Sequence, residues 1–477
     1  MSASWSERWA LLAWLLGGLG CDATSPRKPE ADALLSQAEL LDPAQCKDCH
    51  PKHYREWASS MHAYASQDPV FLAMNRRGQR ETQGALGDFC VRCHAPLALR
   101  QGLTRDGLNL ADVPESMQGV TCYFCHNTVG VGEHFNNSLM LADDQTMRAG
   151  ITDPVNAGAH RSEYSSFHDR NAADSARLCG SCHDVVTPNG VALERGFQEY
   201  QASLFAHDGP GFETCSGCHM PGRRGQVARG GRMDREVHEH LWPGVDLALD
   251  ASPDRDAQRL AIECNLALNA RIFSFAADGV GGVTIKIETS AGHSQPSGAA
   301  QDRRMWLELV AYGAADQVLF ESGTIEDGEV EDKSPDEPGY DRNLALYRDW
   351  LYDADGQLVH MFWEAAPSAM YPQGYLSLAL PAAAKLNEAH TLEAHYLVPN
   401  FEQVERISVR LRMRPLAADV LANLVASNDL DPALLSQVPT FTVHGASAEW
   451  TKADDTLHPA WPADLRCPDD YRALLGE

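Results

Sequence analysis

A single five-residue pattern, Cys-x-x-Cys-His, occurs five times between residues 46 and 219 and constrains this chain more than any other feature. Two cysteines three residues apart lie on one face of a helical turn, where their sulfurs can form thioethers with two vinyl groups of a haem. The histidine that follows is carried over the ring, where its imidazole binds the iron. The pattern therefore predicts five covalently attached haem c groups. The copies are motif I (Cys46, Cys49, His50), motif II (Cys90, Cys93, His94), motif III (Cys122, Cys125, His126), motif IV (Cys179, Cys182, His183) and motif V (Cys215, Cys218, His219).

Other uses of Cys-x-x-Cys pairs are zinc sites and thioredoxin-like redox motifs. A zinc site would combine two such pairs. Neither zinc binding nor disulfide exchange requires a histidine directly after every second cysteine, so the five histidines favour haem.

The first twenty residues have the character of an export signal. Arg8 precedes an apolar run over residues 9–16 that is too short to cross a bilayer. The small residues before Cys21 resemble a bacterial lipoprotein processing site, so residues 1–20 are predicted to be removed and Cys21 to be lipidated; an ordinary signal cleaved nearby is the alternative. Residues 21–40 are predicted to form a polar tether. Export to the periplasm or cell envelope agrees with the haem prediction, because bacterial c-type haem is attached outside the cytoplasmic membrane.

The charge of the chain restricts its partners. Its formal net charge is -27 at pH 7, which excludes the basic footprint of a nucleic-acid-binding protein. An acidic surface favours association with cationic proteins. The predicted partners are therefore redox proteins that donate and accept electrons, together with a membrane surface reached through the lipid at Cys21.

Two regions of different character follow the tether. Residues 41–245 carry the haem motifs, contain few alternating strand patterns and are predicted to form short helices joined by loops, with the haems supplying much of the buried apolar surface. Residues 255–477 are predicted to form an antiparallel β-sandwich-like domain. Its predicted strands cover residues 283–288, 306–312, 318–320, 358–363 and 407–413. A helix is predicted after Pro415, where Leu416, Val420, Leu421, Leu424 and Val425 recur at helical spacing. The fold class is thus multidomain: a mainly α-helical and loop pentahaem cytochrome domain, then a β-sandwich-like domain with a C-terminal helix.

The sixth ligand of each iron decides between electron transfer and catalysis. Nine histidines outside the motifs lie before residue 300, so bis-histidine ligation of all five irons is possible, but at least four of the nine must have another role. Methionine ligation by Met61 or Met220 is the less favoured alternative. From their positions in the sequence, we favour four of these histidines as distal ligands: His134, His160, His168 and His240.

The opening of the haem region resembles the cytochrome c554 type of multihaem cytochrome, which is related to hydroxylamine oxidoreductase. The resemblance is carried by motif I followed by Trp57, Ser60 and the pair His62-Ala63, and it continues around motifs III and V, covering roughly residues 44–245. It implies that His62, rather than His53, is a distal haem ligand. Those families differ from this chain in haem number and lack its β-rich region, so the activity of neither is carried over.

His293 lies outside the haem region, in a Gly-His-x-x-Pro-Ser-Gly phrase that resembles one in β-rich domains appended to other multihaem cytochromes. We therefore predict that His293 crosses the domain boundary and supplies a distal ligand to one haem. A turn histidine without iron is the alternative.

Two cysteines, Cys264 and Cys467, are left once Cys21 and the haem motifs are assigned. In an oxidising compartment they are predicted to form a disulfide. Two unpaired, buried thiols are the alternative.

The function that these features favour is electron transfer through closely spaced, mostly bis-histidine haems. The alternative is an oxidoreductase in which one haem keeps an open face for a small nitrogen or sulfur compound. All five motifs keep histidine where catalytic multihaem reductases often carry lysine, and no catalytic residue is predicted. A third interpretation makes the β-rich region a binding module for a partner.

Overall fold

A computed structural model describes residues 34–133, 135–155, 158–250, 254–325, 339–383, 391–460, 462, 467 and 469–476. The export signal, Cys21, most of the tether and His134 lie outside these residues, so what the sequence indicates about them stays a prediction. Among the helices of the described ranges, none has both the length and the apolar character that a membrane crossing requires.

The haem-bearing region consists of short helices and short strand pairs. Its helices are α1 (Gln37–Leu40), α2 (Pro51–Ala58), α3 (Met61–Tyr64), α4 (Pro69–Glu81), α5 (Val91–His94), α6 (Pro96–Arg100), α7 (Cys122–His126), α8 (Asp174–Gly180), α9 (Gly196–Ala202) and α10 (Cys215–His219). Proline opens three of them, at Pro51, Pro69 and Pro96, where its fixed φ suits the first helical turn and its missing N–H leaves no donor unsatisfied. The prediction of short helices joined by loops therefore holds for this region.

Four two-stranded sheets, which the sequence did not indicate, connect these helices. The strands are β1 (Thr128–Val131), β2 (Leu139–Leu141), β3 (Thr146–Ala149), β4 (Arg161–Tyr164), β5 (Val185–Val186), β6 (Ala192–Glu194), β7 (Gly222–Gly225) and β8 (Arg235–His238). They pair β1 with β2, β5 with β6 and β7 with β8 in antiparallel fashion, and β3 with β4 in parallel. Strands of two to four residues give little periodic signal, so the sequence does not predict them.

The apolar residues of the haem region form several small clusters, not one core. One cluster gathers Leu40, Leu97, Tyr123 and Phe124, and two further clusters lie around Val91 and around Phe197 and Tyr200. Clusters of this size bury little surface for a segment of about 200 residues, which agrees with haem supplying much of its buried apolar area.

The second region begins with a helix that the sequence did not indicate, α11 (Arg255–Asn269), and continues mainly as β-sheet. Its later elements are β9 (Ala270–Ala277), β10 (Gly282–Thr289), β11 (Arg304–Tyr312), β12 (Val318–Ser322), β13 (Ala345–Tyr347), β14 (Asp349–Tyr352), β15 (Leu358–Val359), β16 (Tyr375–Ser377), β17 (Thr391–Leu397), β18 (Arg406–Arg414), α12 (Ala418–Ala426), β19 (Phe441–Thr451), β20 (Thr456–Pro459) and α13 (Asp469–Leu474).

These strands form three antiparallel sheets. A six-stranded sheet has the order β12-β11-β18-β19-β20, with β13 also paired to β11, and two three-stranded sheets have the orders β17-β10-β9 and β15-β14-β16. Along β10, Val283, Ile285 and Ile287 are buried and their neighbours are not, as expected for a strand with one face against a core. Residues of β10 and β17 share one apolar core with residues of β11, β18 and β19. A β-rich region is therefore present, while the sandwich arrangement stays a prediction.

Two sequence predictions for this region need correction. The strand predicted over 358–363 is formed only by Leu358–Val359. The chain then leaves the strand, and Met361, Phe362 and Trp363 are buried in an apolar cluster between the two regions. The helix predicted after Pro415 is present as α12, but it does not end the region, because β19, β20 and α13 follow it.

The boundary between the two regions is itself an apolar core. Val70, Ala73 and Val191 of the haem region share a cluster with Trp363 and Val420 of the β-rich region. Polar contacts surround this cluster: the Trp363 indole N–H donates to Glu81 at 3.0 Å, and the guanidinium of Arg80 pairs with the buried carboxylate of Asp429. The two regions therefore pack as one body along this surface.

Cys264 and Cys467 form a disulfide in the structure, as the sequence predicts, with their Cα atoms 5.5 Å apart. The bond closes a loop whose ends are 203 residues apart in sequence. A crosslink of that span stabilises the folded state by about 5 kcal/mol in the chain-entropy description. It joins α11 to the segment that leads into α13, and these two helices pack together.

Candidate haem-binding site

Each Cys-x-x-Cys-His motif forms a helical turn. Motifs III and V coincide with α7 and α10. In motifs I, II and IV the histidine N–H donates to the carbonyl of the first cysteine, four residues earlier, at 2.7, 3.2 and 3.0 Å respectively. The helical turn places both cysteines and the histidine on one face, which is the arrangement that thioether attachment beneath a coordinated iron requires.

The Nδ1 atoms of four motif histidines are fixed by backbone carbonyl groups. A carbonyl oxygen can only accept, so each Nδ1 carries the proton and each Nε2 keeps a free lone pair for a metal. The acceptors are Val227 for His50 at 2.8 Å, Ala65 for His94 at 3.0 Å, Arg148 for His126 at 2.6 Å and Pro243 for His219 at 3.1 Å.

Burial of the motif histidines also favours the neutral form of their imidazoles. Burial lowers the pKa of His50, His94, His126 and His183 below the ordinary value for histidine, and it lowers the pKa of His219 to about 4. Neutral imidazole is the form that binds a metal.

Four motif histidines face an imidazole from a distant part of the chain across a gap of nearly constant width; His53, three residues after His50, also has its ring centre 6.0 Å from that of His50. The ring-centre distances are 6.2 Å for His50 and His160, 6.1 Å for His126 and His240, 6.1 Å for His183 and His62, and 6.3 Å for His219 and His293. A metal–imidazole bond is about 2 Å long and the nitrogen lies about 1 Å from the ring centre, so two imidazoles on opposite sides of one metal have centres about 6 Å apart. The residues therefore fit a haem iron between each pair.

His168 also approaches His126, with ring centres 5.3 Å apart. Its Nε2, however, lies 2.9 Å from the carbonyl oxygen of Cys125 and donates to it. His240 has the opposite arrangement: its Nδ1 donates to the His238 carbonyl at 2.9 Å, which leaves Nε2 for a metal. The geometry at motif III therefore favours His240 over His168.

The surroundings of His94 differ from those of the other motif histidines. Its ring stacks on Phe71, with ring centres 4.1 Å apart and an interplanar angle of 5°. This spacing is too short to hold a metal between the rings, so Phe71 packs beside the imidazole. In the described ranges no second imidazole forms a ring contact with His94; His134, a predicted ligand, lies outside them.

His62 is placed by its backbone. It lies on α3, whose first turn is capped by the Ser60 side chain, and its carbonyl accepts a hydrogen bond from the Val120 N–H at 2.8 Å, just before motif III. Gly119 lies directly against the carbonyls of His62 and Ala63 with a φ of +64°, so any side chain at this position would clash.

Contacts between cysteines of different motifs indicate how the motifs neighbour one another. The side chains of cysteines from different motifs lie close together in three places: Cys46 and Cys122 for motifs I and III, Cys179 and Cys215 for motifs IV and V, and Cys182 and Cys93 for motifs IV and II. Motif IV thus borders two other motifs, and motif I borders motif III.

Comparisons with known proteins agree with a haem-binding role for this site. Residues 45–127 match the protein family described as cytochrome c554 and c-prime. The fold is similar to that of a penta-heme cytochrome c552 from Thermochromatium tepidum, with a TM-score of 0.57 and 21% sequence identity over 85% of this chain and 97% of that chain. The chain is a multihaem c-type cytochrome. A search of curated proteins found no match.

The cytochrome uses functional atoms that no sequence motif marks. The carbonyls of Val227 and Pro243 orient His50 and His219, and Trp242 contacts the imidazoles of His62 and His240. A backbone carbonyl has no residue signature, so the sequence could not identify the two acceptors. The signal at Trp242 is only its place two residues after His240.

The cytochrome binds haem c covalently, and the number of groups is predicted to be five, one for each motif. Mass spectrometry of the denatured mature protein should show five haem masses still attached to the chain. A matched variant with Cys90 and Cys93 both changed to alanine should show four. A count of four in the native protein would mean that one motif is not used.

Proposed function

We propose that this cytochrome is an electron carrier whose haems are mostly ligated by two histidines. The observation that carries the proposal is the set of four imidazole pairs with ring centres 6.1 to 6.3 Å apart, each containing one motif histidine. Two protein ligands on an iron leave no coordination position for a substrate, which suits electron transfer and not catalysis.

We number the haems I to V after their motifs and assign the distal ligands from the ring pairs. Haem I is ligated by His50 and His160, haem III by His126 and His240, haem IV by His183 and His62, and haem V by His219 and His293. Of the six predicted distal histidines, His168 is left without a haem, and the position of His134 lies outside the described residues.

The haem iron supplies the redox chemistry by gaining and losing one electron. The attachment sites would neighbour one another in the order I, III, IV, V, with II beside IV, because cysteine side chains of adjoining motifs lie near each other. Two histidine ligands on an iron would favour a low potential, because the methionine ligand that raises it would be absent.

The working location that fits this function is outside the cytoplasmic membrane. c-type cytochromes are exported, and the first twenty residues have the character of an export signal. We propose a periplasmic or envelope protein, anchored by lipid at Cys21, that exchanges electrons with other redox proteins. The negative charge of the chain would steer cationic partners towards it.

A second candidate function rests on haem II. The ring that contacts His94 is that of Phe71, and no described imidazole faces His94 across a ligand-sized gap. If haem II keeps one open position, it could reduce or oxidise a small nitrogen or sulfur compound while the other four haems deliver or remove electrons.

Low-temperature EPR of the oxidised protein separates the two functions. If the protein is an electron carrier, the spectrum should show five low-spin signals. Haem II would then take its second ligand from outside the described residues. A stoichiometric high-spin signal, removed by cyanide and left unchanged in a His134→Ala variant, would assign an open haem II and favour the enzyme. Fewer than four low-spin haems would overturn the ligand pairs on which the carrier rests.

A further inference from the structure

We propose that residues 238–243 form one positioning unit for the ligands of haems III, IV and V, with Trp242 at its centre. The inference rests on the haem ligation given above and goes beyond it, because it assigns a role to residues that bind no iron. It also makes the C-terminal helix α13 a part of the haem site, although α13 lies more than 200 residues beyond the last haem motif in sequence.

Trp242 lies between the distal imidazoles of two haems. Its ring centre is 5.1 Å from that of His240 and 4.7 Å from that of His62, with interplanar angles of 70° and 80°. Edge-to-face geometry at these distances is the favoured arrangement of two aromatic rings. A rotation of either imidazole about its bond to iron would therefore disturb its contact with the indole.

The backbone at Trp242 is in a conformation that its own sequence disfavours. Its φ is +46°, a region in which a bulky residue is a genuine outlier. The following residue is Pro243, which disfavours helical conformations of the residue before it. Strained backbone of this kind persists only where the surroundings impose it, and it occurs mainly at functional sites.

The segment before Trp242 is fixed by two buried carboxylates. The carboxylate of Glu56 on α2 accepts a hydrogen bond from the backbone N–H of His240 at 3.0 Å. The carboxylate of Glu239, which is 3% exposed, accepts from the hydroxyl of Tyr471 at 2.9 Å and from the guanidinium of Arg472, both on α13. Buried carboxylates that are paired in this way hold their backbone firmly, since an unpaired buried charge is strongly destabilising.

Apolar packing holds the same segment. Leu241 is buried in a cluster with Ala261 and Cys264 of α11 and with Tyr471 and Leu475 at the C-terminus. The disulfide between Cys264 and Cys467 keeps α11 and α13 together beside it. Residues 238–241 therefore cannot shift without disturbing both helices.

The end of the segment reaches a third haem. The carbonyl oxygen of Pro243 accepts hydrogen bonds from Nδ1 of His219 at 3.1 Å and from the side-chain amide of Asn265 on α11 at 2.9 Å. The segment thus contributes a ligand to haem III, an aromatic contact to the ligand of haem IV and the hydrogen-bond acceptor for the ligand of haem V.

The test compares Trp242→Leu and Trp242→Phe with the native holoprotein by low-temperature EPR and spectroelectrochemical redox titration. We expect all haems to remain attached. The low-spin signals of haems III and IV should both change, and the reduction equilibrium of each should change by about threefold, which is about 28 mV for a one-electron couple. Phenylalanine keeps an aromatic edge, so it should restore most of the native spectrum. The signals are assigned from His240→Ala and His62→Ala, each of which should convert one haem to high-spin.

Trp350→Leu is the matched control, because Trp350 lies in the β-rich region, where it stacks on Arg348; it should leave every haem signal unchanged. If Trp242→Leu fails to assemble, Tyr471→Phe tests the same unit from α13 and should shift haem III with all haems retained. Native signals in assembled Trp242→Leu, or in Tyr471→Phe where it is needed, would overturn the inference, as would a change confined to one haem in Trp242→Leu. If His240→Ala and His62→Ala both stay fully low-spin, the ligand assignment of the proposed function fails instead.

Discussion

Replacing His293 with alanine should convert one low-spin haem, haem V, to a high-spin state. The imidazoles of His293 and His219 have centres 6.3 Å apart and planes 18° apart, which fits an iron between them. Nδ1 of His293 donates to the carbonyl of Ser294 at 3.1 Å, leaving Nε2 for the iron. Loss of that nitrogen leaves haem V with one protein ligand, and low-temperature EPR should show one high-spin haem per chain.

The loop that carries His293 is held against the haem region, so the imidazole has little freedom to move away. The Ser294 N–H donates to the carboxylate of Glu199 on α9 at 2.8 Å, and Gly292 lies beside Phe205 and Tyr200 of the haem region. Because the cavity remains when the side chain is removed, added imidazole should restore the low-spin spectrum of His293→Ala.

The control for this substitution is His395→Ala. His395 lies in β17 of the same β-rich region, where its side chain is 67% exposed and its ring nitrogen contacts the hydroxyl of Thr284. All haems should stay low-spin in this variant. If His293→Ala also keeps every haem low-spin, His293 is a turn histidine and the two regions are not joined through iron.

The sequence predicts the cysteines and the proximal histidine of each haem site, but it does not predict which histidine lies on the opposite side of each iron. The spacing of a Cys-x-x-Cys-His motif determines the local helical turn, so the proximal ligands need no knowledge of the fold. The opposite imidazole comes from a distant part of the chain: His50 faces His160, and His183 faces His62. Only the fold brings such residues together, which is why the sequence provided a list of candidates without pairs.

The choice between His168 and His240 shows what decides such cases. Both are near His126, and the sequence has no means of separating them. The difference is which ring nitrogen is occupied: Nε2 of His168 donates to the Cys125 carbonyl, whereas His240 uses Nδ1 for the His238 carbonyl. That distinction depends on backbone placement to within about an ångström, and no spacing rule contains it.

The sequence predicts that the second region is rich in β-strands, but it does not predict two of the helices in that region. β10 and β18 alternate buried residues with less buried ones, so their strands could be located from the sequence. α11 was not predicted, although its buried residues recur at helical spacing; residues 255–269 were included in the β-rich region without an element of their own. α13 is short, and its role depends on Glu239, a partner more than 200 residues away.

Without haem attachment, we expect the haem region to unfold while the β-rich region keeps its structure. In the described part of the haem region the apolar residues form separate small clusters, so without the macrocycles too little apolar surface is buried to offset the entropy of ordering the chain. The β-rich region has one continuous core shared by two sheets, and its disulfide needs no haem. Folding of the first region should therefore depend on cofactor attachment, as it does in small metal-dependent domains.

Hydrogen exchange followed by mass spectrometry can measure this difference on the full exported chain. Changing all ten motif cysteines to alanine prevents attachment and leaves Cys264 and Cys467 in place. Peptides from residues 45–245 should exchange within seconds, and those of β10, β11 and β18 should stay protected as in the holoprotein. Protection across residues 45–245 in the haem-free chain would contradict the prediction, because a segment that keeps its fold without the macrocycles must bury enough surface of its own. Loss of protection in β11 as well would mean that the apolar boundary around Trp363 and Val420, which α4 completes from the haem region, decides the stability of both regions.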